Sequence, residues 1–541
     1  MHYGSLGAGL AWGAAGSLLS PGASSQTGQS GPSGAFMSEA NIRRLVDKLS
    51  RMRGAALKLG QFLSIQDADL LPKEIEDVLR QVQSSANYMP EYQLEKVLKA
   101  ELGNDWRRRF ASFDTKPFAA ASIGQVHFGQ LATDHPQYPG MPVAVKVQFP
   151  GVKQSIESDL SYLKWLLAAS ALLPRGLFLE STIKQMRMEL HDECDYAREA
   201  EMGRRFGAIF AQQGDETTRL ASTRDPAPLF EVPKVVDELC TANVLTTEMM
   251  KGRPLSIVEG LSQKRRNEIA TSLMSLCLSE LFTHRLMQTD PNFSNFLYSP
   301  SSRRIQLIDF GATREYSHEF MDNWLRLLLA AVRGDEADCK RWSLKVGYLL
   351  TDDQGHCVES DAMVKAHVAS MVLLGQPFRR QQGGELYDFV GHAAITDAIK
   401  SHIPVMLRER KTPPPKETYS LNRKLSGTFL LCARLRAKVD CNQVLGQIVE
   451  GYEFQDGSRV DTRDWTVSLP HSGQPVPSAS AQRSLASGPT GMRGLHTSPR
   501  ILDQVKDIHE ARTDKSSTQT GFVSVADRQG QGRPSRESEC K

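Results

Sequence analysis

The sequence predicts an α+β fold made of two lobes, with further segments at both ends of the chain. At 541 residues, the chain is longer than one hydrophobic core usually supports, so two lobes with appendages are expected. Residues 141–150 alternate apolar and polar side chains as a β-strand does. Residues 319–333 instead place apolar side chains at helical spacing. Helices and strands are therefore both expected in the core.

The composition excludes several classes of protein. Apolar residues make up 40% of the chain and charged residues 23%, which is close to the globular average, so the whole chain is not expected to be disordered. The 65 basic and 62 acidic residues give a net charge of +3. That balance does not predict a nucleic-acid partner, because nucleic-acid-binding domains carry clustered basic charge. The eight cysteines contain no C-x-x-C pair, so a reducing compartment fits better than a disulfide scaffold or a zinc ribbon.

The first residues of the chain are small and apolar. Residues 3–36 carry no charged side chain, and Gly9 and Gly13 form a G-x-x-x-G pair, which lets two helices approach closely in lipid. The apolar run is shorter than the roughly 20 residues of a full membrane span. A flexible leader and a short membrane-associated helix both explain it. No arginine precedes Arg43, so the usual arginine-rich transit peptide is absent from the printed sequence.

Lys146 is the first candidate for a functional residue. In the predicted strand, Val143, Val145 and Val147 share one face, so Lys146 points to the other. A lysine among apolar neighbours needs an anionic partner, and protein kinases hold the phosphates of ATP with such a strand lysine. Taken alone, this short segment is better explained as an ordinary amphipathic strand.

Two segments around Lys146 have the order found in protein kinases. Upstream, Ala119, Ala120, Ala121 and Ser122 form a small-residue loop in the place of the kinase glycine-rich loop. Downstream, residues 180–212 are predicted to form one long charged helix.

The charged helix carries three acidic candidates, Glu193, Asp195 and Glu199. Asp195 and Glu199 are four residues apart and so can face the same way, whereas Glu193 points elsewhere. One of them is expected to pair with Lys146, although a solvated acidic face explains the charges too.

The catalytic-loop and metal-binding candidates follow further along the chain. Asp290 and Asn295 have the D-x-x-x-x-N spacing of a kinase catalytic loop, and Asp309 begins a D-F-G sequence after a short apolar strand. Mg²⁺ prefers oxygen ligands, so Asn295 and Asp309 are candidate ligands alongside the phosphates of ATP. These segments together, in this order, predict a kinase-like nucleotide pocket.

Three departures distinguish this chain from ordinary protein kinases. Alanines 119–121 replace glycines and cannot adopt positive φ cheaply, so the loop is expected to be stiffer and its grip on nucleotide altered. No His-Arg pair precedes Asp290, so the arginine that receives an activation-loop phosphate is missing. No A-P-E follows Asp309, and a helix is predicted over 319–333 instead. These departures argue against ordinary phosphorylation of protein side chains.

A helix is also predicted ahead of the pocket. Ser38 is a plausible N-cap, and apolar residues recur after it at helical spacing. Lys58, Gly60 and Gln61 lie within this segment. By composition alone, it is a core helix with a lysine whose stem lies along apolar surface.

Taken together, these motifs resemble the UbiB family of atypical kinases, and within it the mitochondrial aarF-domain-containing (ADCK) members that support coenzyme Q biosynthesis. The similarity covers roughly residues 1–450. The motifs that carry it are Lys58-x-Gly60-Gln61, the Ala119-Ala120-Ala121-Ser122 loop, Glu193-x-Asp195 and Asp290-Pro-Asn-x-x-Asn295.

The resemblance implies a protein-kinase-like two-lobed fold with an N-terminal helical extension that crosses the active site and covers the place where a peptide would dock. It implies that Glu193 and Asp195 tie this extension to the pocket, and that the loop alanines disfavour autophosphorylation. It makes Glu199 the helix partner of Lys146. By role, it assigns catalysis to Lys146, Glu199 and Asp290; nucleotide binding to Ala119, Ala120, Ala121, Ser122, Lys146, Glu248 and Met250; Mg²⁺ binding to Asn295 and Asp309; and regulation to Lys58, Gly60, Gln61, Glu193 and Asp195.

The predicted layout combines the resemblance with changes in composition. The tail is rich in Ser, Gly, Thr, Arg and Pro from about residue 453 and is expected to be disordered. The segments are a Gly/Ala-rich leader or membrane segment (1–36), the helical extension (37–105), the N-lobe with its alanine-rich loop and inserted helices (106–250), the C-lobe (251–452) and the tail (453–541).

The function that this resemblance implies is that of an atypical kinase or ATPase using ATP and Mg²⁺ on the matrix face of the inner mitochondrial membrane. The partners it suggests are ATP or ADP, coenzyme Q biosynthetic proteins, inner-membrane lipids and a second copy of the chain. Two alternatives are a pseudokinase scaffold without chemistry, and a true protein kinase whose blocking helix moves aside.

Overall fold

The computed structural model describes residues 88–460 apart from positions 122, 171–177, 221–229, 256–259, 291 and 382–383. The predicted leader and the segment with Lys58, Gly60 and Gln61 lie outside the described residues, as do Ser122 and the chain beyond residue 460. Two lobes built of helices and strands confirm the predicted α+β class.

The first lobe is built on an antiparallel sheet of five strands. The strands pair in the order β1-β3-β4-β6, and β2 pairs with β3. The strands are Phe110–Phe113 (β1), Ala119–Ala120 (β2), Gly124–Leu131 (β3), Pro142–Gln148 (β4) and Val244–Glu248 (β6), and Phe230–Glu231 (β5) precedes the last of them in the chain. The helices of this part of the chain are Glu91–Leu102 (α1), Val152–Ser170 (α2), Leu179–Glu193 (α3) and Tyr196–Leu220 (α4).

The central strand β4 has the two faces that the sequence predicts. Val143, Val145 and Val147 are fully buried in the core of the first lobe. Lys146 points to the opposite face, which is half-buried. Hydrogen bonds to β3 on one side and β6 on the other fix this orientation along the strand. The predicted strand over 141–150 is confirmed.

The single helix predicted over 180–212 is wrong, because the chain forms two helices there. The first, α3, ends at Glu193, and α4 begins at Tyr196. The side chain of Asp195 accepts a hydrogen bond from the amide of Arg198 at 3.0 Å, which is the geometry of a helix N-cap. Asp195 therefore starts a helix and does not lie on the face of one.

The second lobe is mainly helical and carries short strands at its junction with the first lobe. One sheet has the order β5-β10-β9-β7, and β11 pairs with β8. The strands are Arg253–Pro254 (β7), Leu286–Gln288 (β8), Phe296–Ser299 (β9), Arg304–Leu307 (β10), Thr313–Glu315 (β11), Tyr387–Asp388 (β12) and Lys438–Val439 (β13). The helices are Gln263–Leu278 (α5), His318–Arg333 (α6), Glu336–Val346 (α7), Asp361–Leu374 (α8), Ala393–Glu409 (α9), Lys416–Arg434 (α10) and Cys441–Glu450 (α11).

Helix α4 belongs to both hydrophobic cores. Tyr196 and Ala200 are buried in the core of the first lobe, whereas Phe206 and Phe210 are buried in the core of the second. Any movement of this helix would disturb apolar packing in both lobes. The side chains that α4 presents between these two ends are therefore held in fixed positions.

The folded part of the chain extends past the predicted start of the tail at residue 453. Phe454 is only 5% exposed, and the guanidinium of Arg326 lies 4.0 Å from the centre of its ring. The Tyr452 hydroxyl donates to Asp322 at 2.6 Å, and the amide of Gln455 donates to the same carboxylate at 2.9 Å. The boundary at 453 is corrected, because these contacts hold residues of the polar segment against α6.

Within the described ranges, no helix combines the length and the apolar content needed to cross a bilayer.

Three buried histidines predict that acid destabilises the protein. Desolvation lowers the pKa of His127 to about 4, of His367 to about 3 and of His392 to about 4, from 6.5. In the unfolded chain each takes up a proton near pH 6.5, whereas the folded chain keeps it neutral, so stability is lost as the pH falls from 6.5 towards 4. Between pH 7.5 and 5, each is expected to contribute a loss on the order of 1 to 2 kcal/mol. Urea unfolding of the wild type and His127→Gln measures this, and equal pH slopes would contradict it.

Candidate active site

Lys146 meets two carboxylates at the junction of the lobes. Its Nζ donates to both Oε atoms of Glu199 at 2.9 Å and lies 3.9 Å from Oδ2 of Asp309. Strand β4 supplies the lysine, α4 supplies Glu199, and the segment after β10 supplies Asp309. Of the acidic candidates in the predicted charged helix, Glu199 is the one that contacts Lys146.

Burial and the surrounding charges act on this cluster in opposite directions. Desolvation lowers the pKa of Lys146, but the charges of Asp309 and Glu199 outweigh it, so that its pKa is well above the usual value. Burial raises the pKa of Glu199 to about 7, against the attraction of Lys146. Because Lys146 donates to both carboxylate oxygens, we take the pair to be charged at neutral pH. Lys146 is therefore a fixed cation that faces the junction between the lobes.

The alanine-rich loop forms a tight turn beside the lysine strand. Ala119 and Ala120 pair with β3, and the amide of Ala121 donates to the carbonyl of Gly124 at 2.9 Å. A Cβ at Gly124 would lie 2.5 Å from the carbonyl oxygen of Val147, which is a severe clash. The sequence motifs do not single out Gly124, whose lack of a side chain allows β3 to pass close to β4.

Asp290 and Asn295 contact each other directly. The Asn295 Nδ2 donates to Oδ2 of Asp290 at 2.8 Å. The amide of Ile308 donates to the carbonyl of Asn295 at 3.3 Å, which joins this loop to the segment that carries Asp309. The D-x-x-x-x-N spacing therefore places an acid and an amide side by side, next to the D-F-G sequence.

The residues present fit a magnesium site that a nucleotide completes. Asp309 offers a carboxylate and Asn295 an amide oxygen, and a hard cation prefers such ligands. Within the part of the chain that is described, no group of three or more His, Cys, Asp or Glu side chains is arranged to hold a metal ion. Phosphate oxygens would have to supply the remaining ligands here.

Glu248 and Met250 lie where β6 leaves the first lobe. Glu248 is paired with Val143 of the lysine strand, and its amide donates to the carbonyl of Lys234 at 2.8 Å. Met250 is almost fully buried. Their assignment to nucleotide binding stays a prediction.

The other acidic candidates have separate environments. Glu193 is the last residue of α3, and its negative charge acts on Arg423 and Glu199. Asp195 is exposed and caps α4. The part of the extension that carries Lys58, Gly60 and Gln61, which these two residues are predicted to tie to the pocket, lies outside the described residues.

Helix α10 adds two basic residues that the motif comparison missed. Lys424 is buried, and its Nζ lies 2.9 Å from Oε2 of Glu280 and donates to the carbonyl of Gln288 at 2.7 Å. The adjacent Arg423 donates to Thr289 Oγ1 at 3.1 Å. Both cations therefore hold the two residues that precede Asp290.

Arg423 also links the catalytic loop to the first lobe. It donates to Oε2 of Glu189 in α3 at 3.2 Å, and both side chains are buried. The charges of Glu189 and Asp290 keep the pKa of Arg423 above its usual value, despite desolvation. In the sequence, Arg423 and Lys424 lie between the apolar positions Leu421 and Leu425. This pattern indicates that the two cations are near the core, but it does not identify the residues that they contact.

Comparison with known proteins extends over both lobes. The ABC1 atypical kinase-like domain matches residues 81–343. The chain is 44% identical over 449 residues to the protein named atypical kinase COQ8, mitochondrial, of Saccharomyces cerevisiae, covering 83% of each chain. It is 43% identical over 453 residues to atypical kinase COQ8B, mitochondrial, of Rattus norvegicus, covering 83% of this chain and 80% of the relative. It is also 39% identical over 412 residues to the probable serine/threonine-protein kinase abkA of Dictyostelium discoideum, covering 75% of this chain and 70% of the relative.

Proposed function

This chain belongs to the ABC1 family of atypical kinases, and from that premise we propose that it is a mitochondrial Mg-ATP-dependent kinase or ATPase that supports coenzyme Q biosynthesis. The single observation that carries the proposal is the meeting of Lys146, Glu199 and Asp309 within 4 Å at the junction of the lobes. A partly buried cation held between two carboxylates is suited to bind the phosphates of a nucleotide once Mg²⁺ balances the acidic charge.

Each residue has a role in this proposal that follows from its position. Lys146 binds phosphate oxygens, and Glu199 keeps the lysine in place. Asp309 and Asn295 would hold Mg²⁺, which neutralises phosphate charge when bound. Asp290 accepts the proton of the attacking hydroxyl or orients a water, and its contact with Asn295 fixes its orientation.

The acceptor is proposed to be a lipid-like small molecule or water. Helix α6 begins at His318, a few residues after Gly311, which leaves little chain to form a peptide-docking segment. By the family resemblance, the protein acts on the matrix face of the inner membrane, together with inner-membrane lipids and coenzyme Q biosynthetic proteins, as a monomer or homodimer.

The alternative is a scaffold that binds nucleotide without chemistry. The observation in its favour is the alanine-rich loop, in which Ala119 and Ala120 are fixed in strand pairing. A loop of this kind is less able than a glycine loop to wrap the phosphates.

Substituting Asp290 by asparagine separates the two functions. For an enzyme, we expect Asp290→Asn to lower ATP turnover by about 100-fold or more, because the proton acceptor is lost. Coenzyme Q, measured by mass spectrometry in cells that lack the protein, should then not be restored. The exposed Asp353 provides the matched control Asp353→Asn, which should restore it fully. Full restoration by Asp290→Asn, together with failure of Lys146→Ala, would instead support the scaffold.

A further inference from the structure

The segment over residues 310–316, which follows Asp309, is held by α4 on one side. Arg198 of α4 donates from one guanidinium nitrogen to the carbonyl of Gly311 at 3.0 Å and from the other to the carbonyl of Thr313. Arg198 is half-buried, and charge-assisted hydrogen bonds to buried carbonyls are stronger than those between neutral groups. The helix that positions Glu199 is thus tied directly to the D-F-G sequence.

Neighbouring contacts continue this attachment on both sides of Arg198. Arg314 pairs with Asp192 at the end of α3, and both side chains are partly buried. The ion pair between Arg205 and Glu315 is more exposed and is expected to contribute little to the stability of this attachment. Arg198 therefore supplies the main polar contact between α4 and the 310–316 segment.

Apolar packing supports the same arrangement. Phe310 is buried, and its ring centre lies 5.2 Å from that of Phe206 of α4. Phe206 and Arg198 are two turns apart on the same helix, so they hold the beginning and the middle of the segment from one helix face.

The opposite side of the segment is bound to β8. Residues 313–315 pair with β8 along their length, and the Thr289 hydroxyl donates to the carbonyl of Ala312 at 2.7 Å. The segment is therefore fixed between α4 and the strand that leads to Asp290.

The hydroxyl groups of the segment are in positions unsuited to a phosphorylation switch. Thr313 is fully buried, and Tyr316 is buried with its hydroxyl 2.8 Å from Ser420 Oγ. Ser317, just beyond the segment, is exposed. Its Oγ accepts a hydrogen bond from the amide of Phe320, which makes it the N-cap of α6. Adding a phosphate to Thr313 or Tyr316 would require the segment to open first.

We propose that Arg198 is a positioning residue that holds the 310–316 segment against α4, so that Lys146, Glu199 and Asp309 assemble without phosphorylation of that segment. This inference rests on the proposed nucleotide-dependent function. Arg198 itself does not contact the nucleotide in this proposal. It acts through the Gly311 carbonyl, and so through the position of Asp309.

The test compares Arg198→Ala and Arg198→Lys with Arg204→Ala in the full chain. Arg204 is on the same helix but pairs with Glu201 and Asp237, away from the segment. We expect Arg198→Ala to weaken ATP binding by about tenfold or more with Mg²⁺ present, as for loss of charge-assisted hydrogen bonds, and to change it little without Mg²⁺. Arg198→Lys should recover part of the affinity, and Arg204→Ala should match the wild type in both titrations.

Hydrogen exchange of the nucleotide-free protein provides a readout that does not depend on the proposed function. Arg198→Ala should speed exchange at residues 310–316 by about tenfold or more, without changing β3 and β4, if the contact holds this segment closed. Unchanged exchange at 310–316 would overturn the proposal. So would an equal loss of ATP affinity with and without Mg²⁺, which would indicate a structural role only. If Arg198→Ala does not fold, the same comparisons are made with Arg198→Lys.

Independence from phosphorylation is tested on the wild type. Treatment with phosphatase should leave the exchange of the segment and the Mg-ATP affinity unchanged. A tenfold loss of affinity after phosphatase treatment would overturn this part of the inference. If the wild type shows no Mg-dependent ATP binding at all, the proposed function fails, whereas the exchange comparison still decides whether Arg198 holds the segment.

Discussion

Replacing Asp309 with asparagine is expected to abolish the stabilisation of this protein by Mg-ATP. The substitution keeps the shape of the side chain and an oxygen that can accept the amide of Gly311, which now donates to Oδ1 at 3.1 Å. It removes the negative charge that a magnesium ion requires in a site with one protein carboxylate. The folded structure should therefore persist while the metal-dependent affinity is lost.

The size of this effect follows from linkage. At a Mg-ATP concentration 100 times the dissociation constant, the wild type gains about 2.7 kcal/mol of stability. Thermal unfolding with and without Mg-ATP should show this shift for the wild type and almost none for Asp309→Asn. The exposed substitution Asp352→Asn is a control that should retain the full shift. An undiminished shift in Asp309→Asn would exclude Asp309 as a metal ligand.

Truncating Lys424, which lies outside the nucleotide cluster, is expected to destabilise the fold strongly. Lys424 and Glu280 have 3% and 1% of their side chains exposed, so Lys424→Ala leaves a buried carboxylate without its cation. Breaking a buried ion pair in this way costs about 3–5 kcal/mol. Burial already raises the pKa of Glu280 above its usual value, against the attraction of Lys424, and loss of the lysine would raise it further.

The control variants separate charge from position. Lys416→Ala in the same helix removes an exposed pair with Glu417 and should cost well under about 1 kcal/mol. The double substitution Lys424→Met with Glu280→Gln removes both charges and should recover most of the stability.

The same double substitution tests the effect on the catalytic loop. It still deletes the donor to the Gln288 carbonyl, so we expect ATP turnover to stay low while stability recovers. Urea unfolding and turnover assays at pH 7.5 measure the two quantities. Full turnover in the double variant would show that α10 supports the fold but does not position Asp290.

The break between α3 and α4 shows that local sequence patterns do not always predict where a helix ends. The apolar and charged periodicity runs through residues 180–212 without a break, and it predicts one helix. At the break, the side chain of Asp195 accepts a hydrogen bond from the amide of Arg198. Such a side chain can cap a new helix instead of continuing the old one, and apolar periodicity does not reveal that competition. Phe454 is a second case, because its ring packs against Tyr452 and lies under the guanidinium of Arg326 in α6, a contact between distant positions that local patterns do not show.

The sequence by itself determined the parts of this protein whose cause is local. The alternation in 142–148 places Lys146 opposite three buried valines, and the spacing of Asp290 and Asn295 sets an acid beside an amide, because neighbours along a strand or in a short loop have few arrangements. The residue pattern left open which acidic residue meets Lys146, although the family resemblance implied Glu199, and the tertiary structure brings Glu199 to the lysine. Only the tertiary structure decided that Arg423, Lys424 and Arg198 hold the loops around Asp290 and Asp309. The contacts of these three basic residues join positions more than a hundred residues apart, and their geometry is set by how the helices pack between the lobes.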